Sequence, residues 1–340
     1  MKSFKFLIIV IIGLVCSSEI FGQVSLNKVG QSTMDFLLVS VSPKASALGE
    51  AYTAIGTGAE ATFYNPAAIV ETNNKFDVTV NYTQWIADIK YLGGAAAYNM
   101  GNYGSIGISF LTVDYGTINA TRLDPTLITG GGVRGYIDDG PMQNVGAYSV
   151  GLTYAKAIST KFMIGGTVKM VGQNLGENNF GNGVTKKNNA TKLAFDAGVK
   201  YYTGFKNFRF GMAIRNFASN IRREQNDEQL PLTFSMGAGI DLMQFISPSM
   251  SPEEQNITFS IDFLHSNSYS ERVNMGLEYK FMDMIAIRGG YQTNRDIMSW
   301  SAGLGLNTSI SGNSVEVSYS FSKIESFFSS VNRFSVDFSF

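Results

Sequence analysis

Fourteen stretches of the sequence alternate apolar and polar residues with period two, and this restricts the fold more than any other feature. Successive side chains of an extended strand point to opposite faces, so each stretch reads as a strand with one apolar and one polar face. The last is the clearest. Phe334, Val336, Phe338 and Phe340 share one face; Arg333, Ser335, Asp337 and Ser339 share the other. In the first, Phe76, Val78, Val80 and Tyr82 alternate with Asp77, Thr79, Asn81 and Thr83. The rest lie near 91–99, 105–113, 148–156, 162–170, 193–201, 208–216, 234–242, 257–263, 273–281, 285–291, 300–306 and 315–321.

Most strand charges fall on the polar phase. Asp196, Lys200, Arg209, Asp262, Arg288 and Glu316 all do so. A basic side chain facing lipid at mid-depth costs about 2–4 kcal/mol, so an apolar phase free of charge suits a wall against lipid and a polar phase suits a wet or filled lumen. Only 16 % of residues are charged, against roughly 25 % in globular domains. A large soluble β-sandwich also alternates, but low charge, an aromatic last strand and alternating loop lengths favour the membrane. The expected fold class is all-β: a 14-stranded antiparallel transmembrane β-barrel with a small N-terminal helical plug. Gaps near 101–104, 157–161, 202–207, 282–284 and 307–314 are short, as periplasmic turns are, whereas those near 114–147, 171–192 and 217–233 are long, as outer loops are. Residues 243–256 break the rule and are expected to carry a turn or helix. Strand 333–340 should close onto 76–82, with Phe340 as the barrel-assembly signal. Trp85 reads as a membrane-interface anchor, because aromatic residues belt the boundary.

The N-terminus reads as a secretory leader, residues 1–22. Lys2 and Lys5 precede an apolar core at 6–15, and cleavage is expected before Gln23. The core is too short to span a bilayer as a helix. Cys16 is the single Cys and falls within the leader, so disulfides and thiolate chemistry are excluded from the mature chain. Residues 23–75 form the expected periplasmic or lumenal plug, and 76–340 the barrel. Within the plug, Ser42-Pro43 is a helix start with Ser as N-cap and Pro at the first position. The Ala-rich run 44–55 is expected to continue that helix to Gly56. Residues 60–64 suggest one further turn, ended at Asn65-Pro66.

No catalytic constellation emerges. His265 is the one His and stands at a strand end. Gly130-Gly131-Gly132 is not followed by the Lys-Ser/Thr of a phosphate cradle. Asp138-Asp139 offers carboxylates to a calcium ion but reads more simply as a solvated loop, as do Lys186-Lys187 and Arg222-Arg223. No enzyme activity, cofactor or metal site is expected, and a net charge of −1 argues against a nucleic-acid partner.

Two N-terminal stretches resemble a known family. Phe36-Leu37-Leu38, Ala47-Leu48-Gly49-Glu50-Ala51 and Tyr64-Asn65-Pro66-Ala67 are similar to the hatch of the PorV/PorQ family, Trp85–Tyr91 resembles the segment that follows it in the PorV-like branch, and further along Leu230-Pro231, Gly276–Tyr279 and Arg288–Tyr291 fit the same family's spacing. That family is a branch of the FadL-like outer-membrane barrels. The resemblance implies a plugged barrel, with Leu48, Gly49, Asn65, Pro66 and Ala67 as the plug motif. It implies a role in type IX secretion at the bacterial outer membrane, docking or shuttling cargo C-terminal signal domains beside a large SprA/Sov-like translocon barrel. A FadL-like transporter of hydrophobic small molecules is the alternative, with a ligand pocket lined partly by Phe63 and Tyr64. A general porin fits a filled lumen less well.

Overall fold

The structure, a computed structural model, describes residues 28, 30–72, 74–123, 135–179, 185–223, 226–249, 251–295, 298–310, 312–324 and 328–340. The expected leader lies outside the described residues. Fourteen strands form one closed antiparallel barrel. They are β1 (Phe76–Gln84), β2 (Lys90–Asn99), β3 (Ser105–Asp114), β4 (Gly146–Ala157), β5 (Phe162–Asn179), β6 (Thr185–Tyr202) and β7 (Arg209–Phe217), then β8 (Thr233–Asp241), β9 (Gln255–Ser266), β10 (Arg272–Phe281), β11 (Ile285–Gln292), β12 (Trp300–Ile310), β13 (Asn313–Ser322) and β14 (Val331–Ser339). Each coincides with one alternating stretch of the sequence.

Closure is the expected one. Val78 faces Phe338, Val80 faces Val336 and Tyr82 faces Phe334 across the β1–β14 seam. Phe76 and Phe340 exchange backbone hydrogen bonds of 2.7 and 2.9 Å, and their rings stack at 5.4 Å. A closed ladder leaves no unpaired strand edge in lipid, where each orphan backbone group costs several kcal/mol. The apolar phase points outward: Ile108, Val150, Leu152, Leu304 and Leu306 are exposed to the bilayer. The polar phase points inward, where Lys200, Arg288, Asp262 and Arg333 are buried.

The short connections share one end of the barrel with Phe76 and Phe340. Barrels of this class keep short turns on the periplasmic side, which makes this the periplasmic end. The long connection 242–254 carries a short helix, Met243–Ile246, as expected. The opposite end differs from expectation in one respect. Residues 171–179 and 185–192 are strand, not loop: β5 and β6 run eighteen residues each and rise past the wall as a ribbon. Asn119–Leu123 pairs with Tyr136–Pro141 in a second ribbon, and Ile221–Arg223 pairs with Asn226–Glu228 in a third. Outside lipid neither face of a ribbon must be apolar, so the alternation that marks the wall fades there.

The N-terminal segment fills the lumen lengthwise. Lys28 Nζ donates to Ser266 O at 3.0 Å, and Thr33 N donates to Gln229 O at 2.9 Å, both at the long-loop mouth. Ala59 N donates to Asp77 Oδ2 at 2.8 Å, near the periplasmic rim. From Lys28 at the outer mouth the described chain therefore descends the lumen and turns into β1 at the periplasmic end. This corrects the expectation of a plug lying in the periplasm or lumen alone: Lys28 and residues 30–33 stand at the outer mouth.

Candidate functional site

The plug is built from short turns because it must match a wall, not another helix. Helix α1 (Pro43–Ala47) begins as expected: Ala45 N donates to Ser42 Oγ at 3.0 Å, and Pro43 takes the first position. It does not run on to residue 55. Gly49 and Glu50 adopt φ of +61° and +62°, which ends the helix within one turn. The wall enforces the break. A Cβ on Gly290 of β11 would lie 2.0 Å from Gly49 N, and one on Gly276 of β10 would lie 2.7 Å from Leu48 O. The backbone at 48–49 is pressed against strands that carry no side chain at those points, and Gln292 Nε2 donates to Gly49 O at 2.8 Å.

The second contact is Asn65-Pro66-Ala67. Asn65 is fully buried; its Nδ2 donates to Thr53 O (2.9 Å) and to Val199 O on β6 (3.0 Å), and its Oδ1 accepts from Ala67 N (3.1 Å). One side chain thus ties a plug loop, the wall and the start of the 3-10 turn Pro66–Val70. Pro66 packs where β5 has Gly165. The five motif residues therefore all lie at the plug–wall interface, but at two separate places: Leu48 and Gly49 on β10 and β11, and Asn65, Pro66 and Ala67 on β5 and β6. Gly165, Gly198, Gly211, Gly276, Gly290 and Gly303 all stand on the lumen phase of their strands, and Gly inside a strand marks close backbone approach. That signal was readable in the sequence.

Charged wall residues grip the plug. Lys44 Nζ lies 2.8 Å from Glu316 and 3.1 Å from Asp337, with Glu60 at 4.0 Å. Arg288 holds Glu316 at 2.9 Å and Glu278 at 2.6 Å. Asp262 Oδ2 accepts from Tyr52 N (3.1 Å) and Thr53 N (2.9 Å). Arg333 donates to Ser40 O at 2.8 Å, and Lys200 bridges Glu71 and Gly56 O. Burial alone would lower the Lys44 ammonium, but the carboxylates of Asp337, Glu316 and Glu60 outweigh it and hold it above its usual range. Burial pushes the Glu60 carboxyl up to about 7, against the opposing pull of Lys44.

The raised Glu60 has a consequence for stability. Between its ordinary 4.5 and about 7 the folded state keeps a proton that the unfolded chain releases. Stability then falls as pH rises through that window. Unfolding midpoints of wild type and Glu60→Gln should diverge between pH 4.5 and 7, with wild type losing ground as pH rises and the difference flat above it.

One small cavity, about 50 Å³, lies between the plug and the inner faces of β3 to β7. Leu37, Val39, Phe63 and Tyr64 line it with Lys169, Asp196 and Arg215. Lys169 Nζ donates to Asp196 Oδ2 and Asn216 Oδ1, both at 2.7 Å, and Arg215 donates to Phe63 O at 2.8 Å. Phe36, Val41, Tyr91, Leu111, Ile221 and Leu230 form an apolar seal toward the outer mouth.

Trp85 does not face lipid. It follows the lumen phase of β1, packs on the apolar seal and Tyr91, and lies 5.5 Å from the Arg333 guanidinium. The outward Trp is Trp300, 5.9 Å from Phe321 near the outer end of the wall. Asp139 pairs with Arg122 at 2.9 Å, and Asp138 accepts from Gly140 N. His265 contacts Glu271 on the exposed mouth. Among the described residues no group of three or more His, Cys, Asp or Glu is placed to hold a metal.

Solved structures share this architecture. The chain resembles the CymD monoaromatic hydrocarbon channel (TM-score 0.56, 12 % identity, 89 % of this chain and 98 % of that one). It also resembles a Pseudomonas aeruginosa FadL homologue (0.53, 13 %, 88 % and 98 %) and the Pseudomonas putida toluene transporter TodX (0.54, 12 %, 87 % and 96 %). Identities this low establish the FadL-like fold alone. No curated protein sequence matches the chain. Residues 132–332 match the family described as "Type IX secretion system membrane protein PorP/SprF". The match names PorP/SprF, not the PorV/PorQ branch to which the hatch motifs pointed, and those motifs lie outside the matched span. With more than half of its length matched, and in a closed outer-membrane β-barrel, the chain belongs to the PorP/SprF family of type IX secretion system membrane proteins.

Proposed function

We propose that the protein is a closed docking barrel of the type IX machinery, which engages secretion partners at its outer mouth and conducts nothing through its lumen. The observation that carries this reading is the plug: residues 34–71 occupy the lumen, held by buried ion pairs and by backbone laid on wall glycines. A chain in transit finds no room there. The partners are a large SprA/Sov-like translocon barrel and the C-terminal signal domains of exported cargo, in the manner of PorV/PorQ proteins. The surface offered to them is the outer mouth, where the β5–β6 ribbon stands clear of the wall.

Shortening that ribbon by joining Asn174 to Asn189 through Asn-Gly tests the reading, since those two residues are paired neighbours. Barrels purified from native outer membranes should bring translocon and cargo signal domains with them, and the shortened variant should lose at least one of these while folding normally. Equal recovery from both proteins would count against an outer-mouth docking role.

The cavity favours a second reading, transport of a hydrophobic small molecule. Leu37, Val39, Phe63 and Tyr64 give it an apolar side, and CymD and TodX are described as hydrocarbon channel and toluene transporter. Its volume weighs against that. A dry cavity of about 150 Å³ accepts benzene, three times the 50 Å³ available here. An aromatic ligand would require residues 36–39 to withdraw. Loss of aromatic or fatty-acid uptake on deletion, with secretion intact, would favour this reading.

A further inference from the structure

The periplasmic rim carries a basic patch that docking at the outer mouth does not use. Lys156 is the penultimate residue of β4, Lys161 stands in the turn 158–161, and Lys206 stands in the neighbouring turn 203–208. Lys161 Nζ donates to Thr203 O at 3.4 Å, so the first turn rests on the second. Lys206 Nζ donates to Gln244 O at 2.7 Å and sits 4.0 Å over the Phe245 ring, which joins the third turn to the patch. Among the described residues no carboxylate forms an ion pair with any of the three lysines, whereas the lumenal lysines Lys44, Lys169 and Lys200 are each paired. The turns are preformed: Ser159 Oγ accepts from Lys161 N and Phe162 N, and Lys206 and Asn207 take φ of +45° and +56°.

The surroundings are apolar. Ile158, Phe205 and Ile246 are 56 %, 59 % and 57 % exposed. Leu152, Tyr154 and Lys156 follow the outward phase of β4, and Ile158 continues it just past the strand end. Lysine stems lie along apolar surface and lift the ammonium to the headgroup level. Three unpaired ammonium groups at that level, above an apolar wall, match a phosphate attached to acyl chains. We propose that this patch binds the headgroup phosphate of an anionic phospholipid in the periplasmic leaflet, with the acyl chains against the outward face of β4 to β7. Charge complementarity and continuity with the lipid-facing wall favour a lipid over a soluble partner.

The full-length barrel, purified in nonionic detergent, can be titrated with phosphatidylglycerol or with phosphatidylcholine of the same chains and read by native mass spectrometry. Phosphatidylglycerol should be retained preferentially, and the preference should weaken with salt. Each lysine near an anionic lipid contributes about fivefold, so Lys156→Gln/Lys161→Gln/Lys206→Gln should lower phosphatidylglycerol affinity on the order of a hundredfold. The corresponding triple Arg variant should retain it, and single Lys161→Gln and Lys206→Gln variants carry the test if the triple Gln protein misfolds. Equal retention of the two lipids, or unchanged binding by the Gln variants, would overturn the proposal. So would displacement by an equal concentration of inorganic phosphate, which would make the site a phosphate site without need of a lipid.

Discussion

Lys44→Met should destabilise the folded barrel by about 3–5 kcal/mol, the usual cost of removing one partner from a buried ion pair. Met keeps most of the volume, so the loss isolates the charge. Glu316 and Asp337 lie 2.8 and 3.1 Å from the Lys44 ammonium, and Glu60 is 4.0 Å away. Arg288 still compensates Glu316, but Asp337 and Glu60 lose their nearest cation. The measurement is the midpoint of urea or thermal unfolding, followed by loss of the compact band on unheated gels. Adding Asp337→Asn should recover part of the loss, because it removes one of the stranded carboxylates. A midpoint within error of wild type would mean that Lys44 does not hold the plug.

Gly290→Val should act on the same interface without touching a charge. Its Cβ would stand 2.0 Å from Gly49 N and 2.2 Å from Leu48 C, distances no real Cβ adopts. Neither atom is the end of a flexible side chain, so the plug backbone must move. The cost should exceed the roughly 1–3 kcal/mol typical of overpacking, because Leu48, buried at 1 % exposure, and the bond from Gln292 to Gly49 are displaced with it. Gly289→Val is the control. Gly289 faces outward, nothing lies within 4 Å of its added Cβ, and it should be close to neutral. Equal effects at 289 and 290 would point to strand propensity, not to plug contact.

The wall was legible in the sequence because lipid on one side and a polar lumen on the other impose alternation on most of the fourteen strands, least clearly on β2, where Gly and Ala give little contrast. Ser42-Pro43 and Asn65-Pro66 were legible because capping and proline geometry are local. The end of α1 was not: Ala47 to Ala51 has helical composition, and only the approach of Gly290 and Gly276 stops it. Trp85 was misplaced for a related reason. Aromatic rings near a strand end commonly sit at the bilayer boundary, but residue 85 falls on the lumen phase and meets Arg333. The extended β5–β6 ribbon and the placement of Lys28 and residues 30–33 at the outer mouth depend on long-range contacts that no local pattern records. The hatch motifs pointed to type IX secretion, and the family match over residues 132–332 names PorP/SprF within it.

Both variants lead to the same physical question, whether the lumen is sealed. Single-channel recording in planar bilayers answers it directly. The wild-type barrel should show no steady conductance, and Lys44→Met and Gly290→Val should introduce open events as the plug loosens. A stable, porin-like current through the wild-type protein would contradict the account.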